Sequence, residues 1–108
     1  MNNRTFAIIK PDAVKNGNTG KIYDRILRAD FKILCAKLLR MTEHQVKGFY
    51  AVHKERPFFN ELTEFMSSGA CMVLALEKEN AVHGSDSNEN AEKEIGFFFS
   101  QSELIANK

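Results

Sequence analysis

The sequence has little that would indicate a secreted, membrane-spanning or nucleic-acid-binding protein. It contains only two cysteines, Cys35 and Cys71, and both stand inside apolar runs, which predicts buried thiols and not a disulfide or metal framework. It has no excess of one charge, because 15 Lys and Arg oppose 14 Asp and Glu. That balance argues against a specific nucleic-acid partner or an anionic membrane surface. No apolar run approaches the roughly 18 residues that a spanning helix needs.

The chain is also short and without internal divisions. No repeat, low-complexity tract or linker interrupts its 108 residues, so a single domain over residues 1–108 is predicted. A composition with 44% hydrophobic and 27% charged residues is typical of a globular protein. Residues 1–5 lead into an apolar run without the hydrophobic stretch and cleavage site of a signal peptide, so a soluble, cytoplasmic protein is expected.

Apolar runs and helical periodicities alternate along the chain. Strands are predicted at residues 5–9, 31–41, 70–76 and, very short, 80–83, with a turn at Lys10-Pro11-Asp12. The run 70–76 is continuous, as in a central strand covered on both faces. Four helices are predicted from apolar stripes. The first stripe is Ile22, Ile26 and Leu27, and the second is Val46 and Phe49 after a Thr42/Gln45 capping box. The third is Leu62, Phe65 and Met66 in a helix that ends at Gly69, and the fourth is Ala91, Ile95 and Phe98 after an Asp86/Glu89 cap. This alternation predicts an α/β or α+β sandwich.

His83 is the residue whose surroundings best suit chemistry. It stands at a predicted strand end, before Gly84-Ser85-Asp86-Ser87 and a helix N-terminus, where backbone N–H groups and the helix dipole attract anions. A histidine there can attack phosphorus if one ring nitrogen is free and the other is held. Glu94, two turns into the next helix, can accept that ring N–H. On spacing alone, however, a loop histidine beside an ordinary helix cap is the simpler interpretation.

Other candidates are individually weak. Lys10, stiffened by the following proline, places an ammonium at a strand end and suits phosphate binding, although taken alone an ordinary strand-terminating turn is the better interpretation. Arg56-Pro57-Phe58 offers an aromatic face for a nucleobase, or Phe58 is simply the hydrophobic staple of a helix. Tyr50 adds a phenol hydroxyl close by. His44 and His53 fit a polar helix surface better than a chemical role.

Taken together and in this order, the motifs resemble those of the nucleoside diphosphate kinase family. The resemblance covers residues 5–79 and 80–103. It is carried by residues 5–14, Phe49-Tyr50, Glu55-Arg56-Pro57-Phe58-Phe59, Met66-Ser67-Ser68-Gly69 and Asn80-Ala81-Val82-His83-Gly84-Ser85-Asp86-Ser87, continued by 89–95. The histidine segment is close to the family's active-site signature.

The resemblance implies a ferredoxin-like antiparallel sheet. It also implies a ping-pong transfer of γ-phosphate from a nucleoside triphosphate such as ATP to a nucleoside diphosphate. Mg²⁺ would be held mainly by the phosphates, and no metal ligand is expected from the protein. His83 would become phosphohistidine, and Glu94, aided by Ser85, would orient its ring. Lys10 and Tyr50 would contact phosphate and ribose, Asn80 the ribose, and Phe58 would stack on the base. A homo-oligomer is expected.

The chain departs from the family by lacking the stretch between the central strand and the histidine strand. With it are missing a helix, the loop that builds oligomers, and a threonine and two arginines that bind phosphate. The junction lies at Glu79-Asn80-Ala81-Val82, and because relatives can carry a similar tetrad at both ends of the stretch, it is interpreted as a deletion between repeats.

A missing crossover has a topological consequence. Residues 77–80, at most about 14 Å long when extended, cannot return along a strand and step across its neighbour. Either the last strand and helix dock on a partner chain, which is the favoured expectation, or the fold is rearranged. For function, an impaired kinase is the first hypothesis, a non-catalytic remnant that assembles and binds nucleotide weakly is the alternative, and a phosphohistidine relay to a protein acceptor is a distant third.

Overall fold

The computed structural model describes residues 2–79, 88–100, 103 and 104. Its regular elements follow the chain as β1 (Asn2–Ile9), α1 (Pro11–Lys15), α2 (Thr19–Arg28), β2 (Lys32–Leu39), α3 (Glu43–Phe49), a 3₁₀ helix (Ala51–His53), α4 (Phe59–Ser67), β3 (Cys71–Glu79) and α5 (Asn88–Phe98). Each strand predicted within the described part of the chain is present. Among these residues, no helix combines the length and the apolar character needed to cross a membrane.

The three strands form an antiparallel sheet with the order β1-β3-β2. The prediction that the apolar run after residue 70 forms the central strand is therefore confirmed, and so is the α+β architecture. Ile9 pairs with Met72 at one end of the sheet. A bulge between Ile33 and Cys35 inserts Leu34 into β2. As a result, the adjacent residues Leu34 and Cys35 both face the same side of the sheet.

Both faces of β3 are buried, which explains why its sequence is apolar without alternation. Val73 and Ala75 face one core cluster, which α3, α4 and α5 cover with Val46, Met66 and Ile95 among its members. Leu74 and Leu76 face a second cluster, which α1 and α2 cover. The sheet thus lies between two helical layers. Both cysteines are free, with Cys71 fully buried and Cys35 partly buried, as the sequence predicts.

The capping box at Thr42 is confirmed by two reciprocal hydrogen bonds. The Gln45 backbone N–H donates to Thr42 Oγ1 over 3.1 Å, and the Thr42 backbone N–H donates to Gln45 Oε1 over 2.9 Å. These bonds satisfy donors that the first turn of α3 would otherwise leave without an intrahelical acceptor. Residue 42 is therefore where the chain enters the helix that ends beside Tyr50.

Replacing Thr42 with alanine is expected to lower the free energy of unfolding by about 1 kcal/mol, because the side chain half of the box is lost. Urea denaturation followed by circular dichroism measures the change. Asn18→Ala is the matched control, since the Asn18 side chain at the N-cap of α2 makes no capping hydrogen bond within the described residues. Equal losses in the two variants would contradict the prediction.

Three local predictions need correction. The segment Lys10-Pro11-Asp12, predicted as a turn, opens α1, because proline at the first helical position has the φ that a helix requires and its missing N–H is not needed there. Leu27, assigned to the apolar stripe of α2, is exposed, and Phe65 on α4 is more than a third exposed. Ile22, Ile26, Leu62 and Met66 do pack inward, so each stripe is narrower than predicted.

The final helix does not leave its own chain. α5 packs on β1, where Phe98 stacks on Phe6 with ring centroids 5.5 Å apart, and Ile95 is buried in the core. Within the single chain α5 thus packs on its own sheet, and docking of the last strand and helix on a partner chain stays a prediction. The limit on the reach of residues 77–80 concerns a strand, which would have to start at the opposite end of the sheet from where β3 ends. A helix over the middle of β1 needs only the reach of the eight residues 80–87, up to about 30 Å. The short strand predicted at 80–83 lies outside the described residues.

Candidate functional site

Lys10 stands on a corner between β1 and α1. It directly follows Ile9 and is the N-cap of α1, with an extended backbone at φ −70° and ψ 160°. Its carbonyl accepts a hydrogen bond from the Val14 N–H over 3.1 Å, and the next residue, Pro11, is buried. The side chain of Lys10 is exposed. A rigid backbone carrying a solvent-facing ammonium suits the neutralisation of a phosphate group that approaches from outside.

Tyr50 ends α3 and lies at the same end of the sheet. Its backbone N–H donates to the Val46 carbonyl over 2.9 Å, and its ring meets that of Phe49 edge-on with centroids 4.9 Å apart. Burial raises the pKa of the Tyr50 phenol, and the neighbouring Cys71 and Glu94 raise it further. Since Cys71 begins β3 beside the position where β1 ends, Tyr50 and Lys10 share one edge of the sheet. The hydroxyl stays protonated at neutral pH and can donate a hydrogen bond.

Glu94 comes to Tyr50 from the opposite end of the sequence. It lies on α5 and is half-buried, one residue before the buried Ile95. Its charge contributes to the raised pKa of Tyr50, and α5 lies beside the end of α3, where the ring centroids of Phe97 and Phe49 are 5.4 Å apart. The structure therefore brings Glu94, which belongs to the predicted histidine segment, to the part of the molecule that holds Tyr50, from the middle of the chain.

Between Tyr50 and Phe58 the chain arranges a row of rings. The 3₁₀ helix places His53 with its ring centroid 6.5 Å from that of Tyr50 and 5.8 Å from that of Phe58. We call Phe49, Tyr50, His53 and Phe58 the aromatic row. Phe58 is the N-cap of α4 and keeps 47% of its surface exposed. A staple residue precedes the N-cap and turns inward, so the exposed ring fits the stacking interpretation better.

His53 is the site residue that the sequence analysis did not select. It was assigned to a polar helix surface, yet it is half-buried between two aromatic rings. Its spacing, three residues after Tyr50, is what one 3₁₀ turn needs to bring the two rings together. A histidine placed between two aromatic residues at that spacing is the signal that would have identified it.

The remaining predicted site residues, Asn80, His83 and Ser85, lie outside the described residues. The predicted hydrogen bond between the His83 ring and Glu94 therefore stays a prediction. The described part of the chain has no group of three His, Cys, Asp or Glu side chains that could hold a metal ion.

Two open depressions lie away from these residues, each of about 410 Å³. One lies between the start of α3 and the end of α4, and Arg40 and Glu64 line it. The other lies between α1 and the end of α4, and Lys15 and Phe65 line it. Among the described site residues, none of Lys10, Tyr50, Phe58 and Glu94 lines either of them, so shape alone does not identify the site.

Known proteins match this arrangement over nearly the whole chain. The family model described as nucleoside diphosphate kinase matches residues 3–82 and 77–104. The nucleoside diphosphate kinase of Geotalea uraniireducens is 47% identical, with 94% of this chain and 98% of the relative covered. That of Chloroherpeton thalassium is 44% identical, with coverage of 96% and 97%. A crystal structure of the Aquifex aeolicus nucleoside diphosphate kinase superposes with a TM-score of 0.88 at 37% identity and covers 95% of this chain and 99% of its own.

The same comparisons locate the internal shortening. The alignment with the Geotalea protein extends over 135 residues, whereas this chain has 108, so at least 27 aligned positions have no counterpart here. The two segments that match the family model overlap at residues 77–82. An overlap of this kind is expected where two similar stretches that flank a missing segment have been joined.

Proposed function

The chain belongs to the nucleoside diphosphate kinase family, and we propose that it is an impaired member that transfers a γ-phosphate between nucleotides through His83. The observation that carries the proposal is that α5, which bears Glu94, packs beside the end of α3, where the ring centroids of Phe97 and Phe98 lie 5.4 and 5.2 Å from that of Phe49. The matched segment 77–104 contains both His83 and Glu94. Because α5 packs on its own sheet, it brings Glu94 toward the end of the sheet that holds Lys10 and Tyr50.

The proposed reaction has two half-reactions. A ring nitrogen of His83 forms a bond to the γ-phosphorus while the bond from that phosphorus to the bridging oxygen breaks, and the nucleoside diphosphate leaves. A terminal phosphate oxygen of a second nucleoside diphosphate then attacks the phosphohistidine, and the N–P bond breaks. Glu94 accepts the N–H of the other ring nitrogen and holds the tautomer, with help from Ser85.

Binding is assigned to the remaining residues. The ammonium of Lys10 neutralises phosphate charge, and the Tyr50 hydroxyl, kept protonated by its raised pKa, donates to the phosphate or the ribose. Asn80 is assigned to the ribose. Phe58 stacks on the base, which gives low base specificity because every base presents a π face.

Phe58→Ala is expected to weaken nucleotide binding by about 1–3 kcal/mol, a change of roughly five- to hundredfold, because a stacked base loses its platform. Equilibrium titration with a nucleoside diphosphate measures this. Phe65→Ala is the control, since it removes another partly exposed ring from the same helix outside the aromatic row. If both variants bind nucleotide with the same affinity, Phe58 does not stack on the base.

The nucleotide substrate is proposed to be its magnesium complex. Mg²⁺ prefers an octahedral shell of oxygen ligands and usually keeps several waters. The ion is therefore assigned to the phosphate oxygens and water. When bound, it would neutralise part of the charge on the phosphates. The Lys10 ammonium would neutralise further phosphate charge from the protein side.

Impairment is proposed from the missing segment. The resemblance assigns a threonine and two arginines to it, and charge-assisted hydrogen bonds are worth about 1.5–3 kcal/mol each. Binding should therefore weaken at least about tenfold, since each 1.4 kcal/mol is a decade. The same observation favours the second candidate, an inactive remnant that oligomerises and binds nucleotide weakly.

Further assignments rest on family membership. We propose one nucleoside diphosphate kinase-like domain over residues 1–108, a homo-oligomer, and a place in cytoplasmic nucleotide metabolism. Size-exclusion chromatography with light scattering tests the oligomeric state.

The decisive experiment separates binding from turnover. Nucleotide titration is followed by incubation with Mg-ATP, and the intact mass is read without acid. One added phosphate that a nucleoside diphosphate removes supports the kinase. A folded protein that binds nucleotide but gains no phosphate supports the remnant instead.

A further inference from the structure

Lys37 on β2 contacts the C-terminal end of α5. Lys37 Nζ donates to the Phe98 carbonyl over 2.7 Å and lies 3.1 and 3.0 Å from the two carboxylate oxygens of Glu103. It also lies 5.2 Å from the centroid of the Phe99 ring. The Phe98 carbonyl belongs to the last turn of α5, where carbonyls have no intrahelical donor and a cation interacts favourably with the helix dipole.

Glu103 is itself held in place. The Ser100 N–H donates to Glu103 Oε1 over 2.9 Å, and the Glu103 N–H donates to Ser100 Oγ over 3.3 Å. The next residue, Leu104, is buried in the core. These bonds and the ammonium of Lys37 lower the pKa of Glu103, so the carboxylate is charged at neutral pH. The lysine therefore joins three fixed points: β2, the last turn of α5 and the segment that follows it.

α5 also makes aromatic contacts with β1 and α3. Phe98 stacks on Phe6, and Phe49 lies 5.2 Å from Phe98 and 5.4 Å from Phe97, measured between ring centroids. Apolar packing selects the buried face of a helix but is not directional. Hydrogen bonds have narrow distance and angle ranges. The hydrogen bond from Lys37 to the Phe98 carbonyl therefore adds a directional constraint to the apolar packing of α5.

We propose that Lys37 is a positioning residue for the phosphotransfer site, because by fastening the end of α5 to β2 it sets the place of Glu94 relative to Tyr50. The inference rests on the proposed function for its catalytic consequence. Glu94 lies four residues before Phe98, about one helical turn or 6 Å along the axis. Any shift of the last turn is thus passed on to Glu94, and a displacement of about 1 Å can cost up to a hundredfold in rate.

The test compares Lys37→Met, which keeps the length of the side chain without its charge, with Lys37→Arg, which keeps the charge. Nuclear Overhauser effects between the rings of Phe49 and Phe98 report the position of α5 without requiring activity. The rate of His83 phosphorylation and the KM for the nucleotide report the site. Arg28→Met is the matched control, because it removes the exposed Arg28–Asp24 ion pair on α2.

We expect Lys37→Met to weaken these Overhauser effects and to slow phosphorylation at least about tenfold at nearly unchanged KM. Lys37→Arg should retain most of both signals, and Arg28→Met all of them. A folded Lys37→Met variant with the Overhauser effects and rate of the unmodified protein would overturn the proposal. So would a variant whose KM alone changes.

Two further outcomes are distinguishable. If Lys37→Met does not fold, Glu103→Gln removes only the charge of the partner; a smaller loss of the same signals supports the proposal, and no loss overturns it. If the unmodified protein forms no phosphohistidine, the proposed function fails. The Overhauser effects then decide separately whether Lys37 sets the position of α5.

Discussion

Replacing His83 with alanine is expected to abolish the phosphoenzyme and to reduce phosphotransfer by roughly a thousandfold or more. Both half-reactions pass through the same ring nitrogen, and an alanine offers no nucleophile, so neither half can proceed by the proposed route. Intact mass after incubation with Mg-ATP should show one phosphate on the unmodified chain and none on the variant. Addition of a nucleoside diphosphate should return the unmodified chain to its starting mass.

The other histidines provide the controls for this result. His44→Ala removes an imidazole from α3, outside the aromatic row, and should leave the phosphate in place. His53→Ala opens the aromatic row between Tyr50 and Phe58 and should affect nucleotide binding more than phosphorylation. Phosphate on the His83→Ala chain would show that another residue is the nucleophile and would refute the proposed mechanism.

Restoring the missing segment is expected to tighten nucleotide binding at least about tenfold. The insert would be the corresponding stretch of the Aquifex aeolicus relative, placed at the junction within residues 77–82. The two phosphate-binding arginines that the family resemblance assigns to this stretch should add charge-assisted contacts of about 1.5–3 kcal/mol each, and 1.4 kcal/mol is already a decade in affinity. Equilibrium titration of both proteins with the same nucleotide measures the difference.

An insert with both arginines replaced by alanine separates charge from folding. If the restored helix and loop act only by stabilising the fold, the altered insert should tighten binding as much as the natural one. If the arginines act directly, most of the gain should disappear. Equal affinity of the original chain and the restored chain would contradict the proposed impairment.

Local interactions made much of the fold predictable. The capping box at Thr42 involves groups three residues apart, so its two hydrogen bonds follow from the sequence itself. The apolar run that became β3 had to be central, because only a strand covered on both faces can bury Val73 and Leu74 together. A continuous apolar run therefore predicts a central strand even when the neighbouring strands are not known.

Predictions that depended on distance or on a wider context were less successful. Pro11 is compatible with both a turn and the first position of a helix, and packing of α1 against β3 selects the helix. Leu27 and Phe65 fit the helical period but lie at the margin of the buried face, which depends on what packs there. The short connection made docking of the last strand and helix on a partner the favoured expectation, whereas in the single chain α5 packs over β1 of its own sheet.

The amino-acid sequence was enough to predict the family, the alternation of elements, the central strand and the candidates Lys10, Tyr50, Phe58, Asn80, His83, Ser85 and Glu94. These follow from residue types and spacings along the chain. The packing of the helices on the sheet was needed to show that α5, with Glu94, lies beside the end of α3 and that Lys37 contacts the end of α5. Such contacts join residues tens of positions apart, and their geometry depends on how the helices pack on the sheet, which no local pattern encodes.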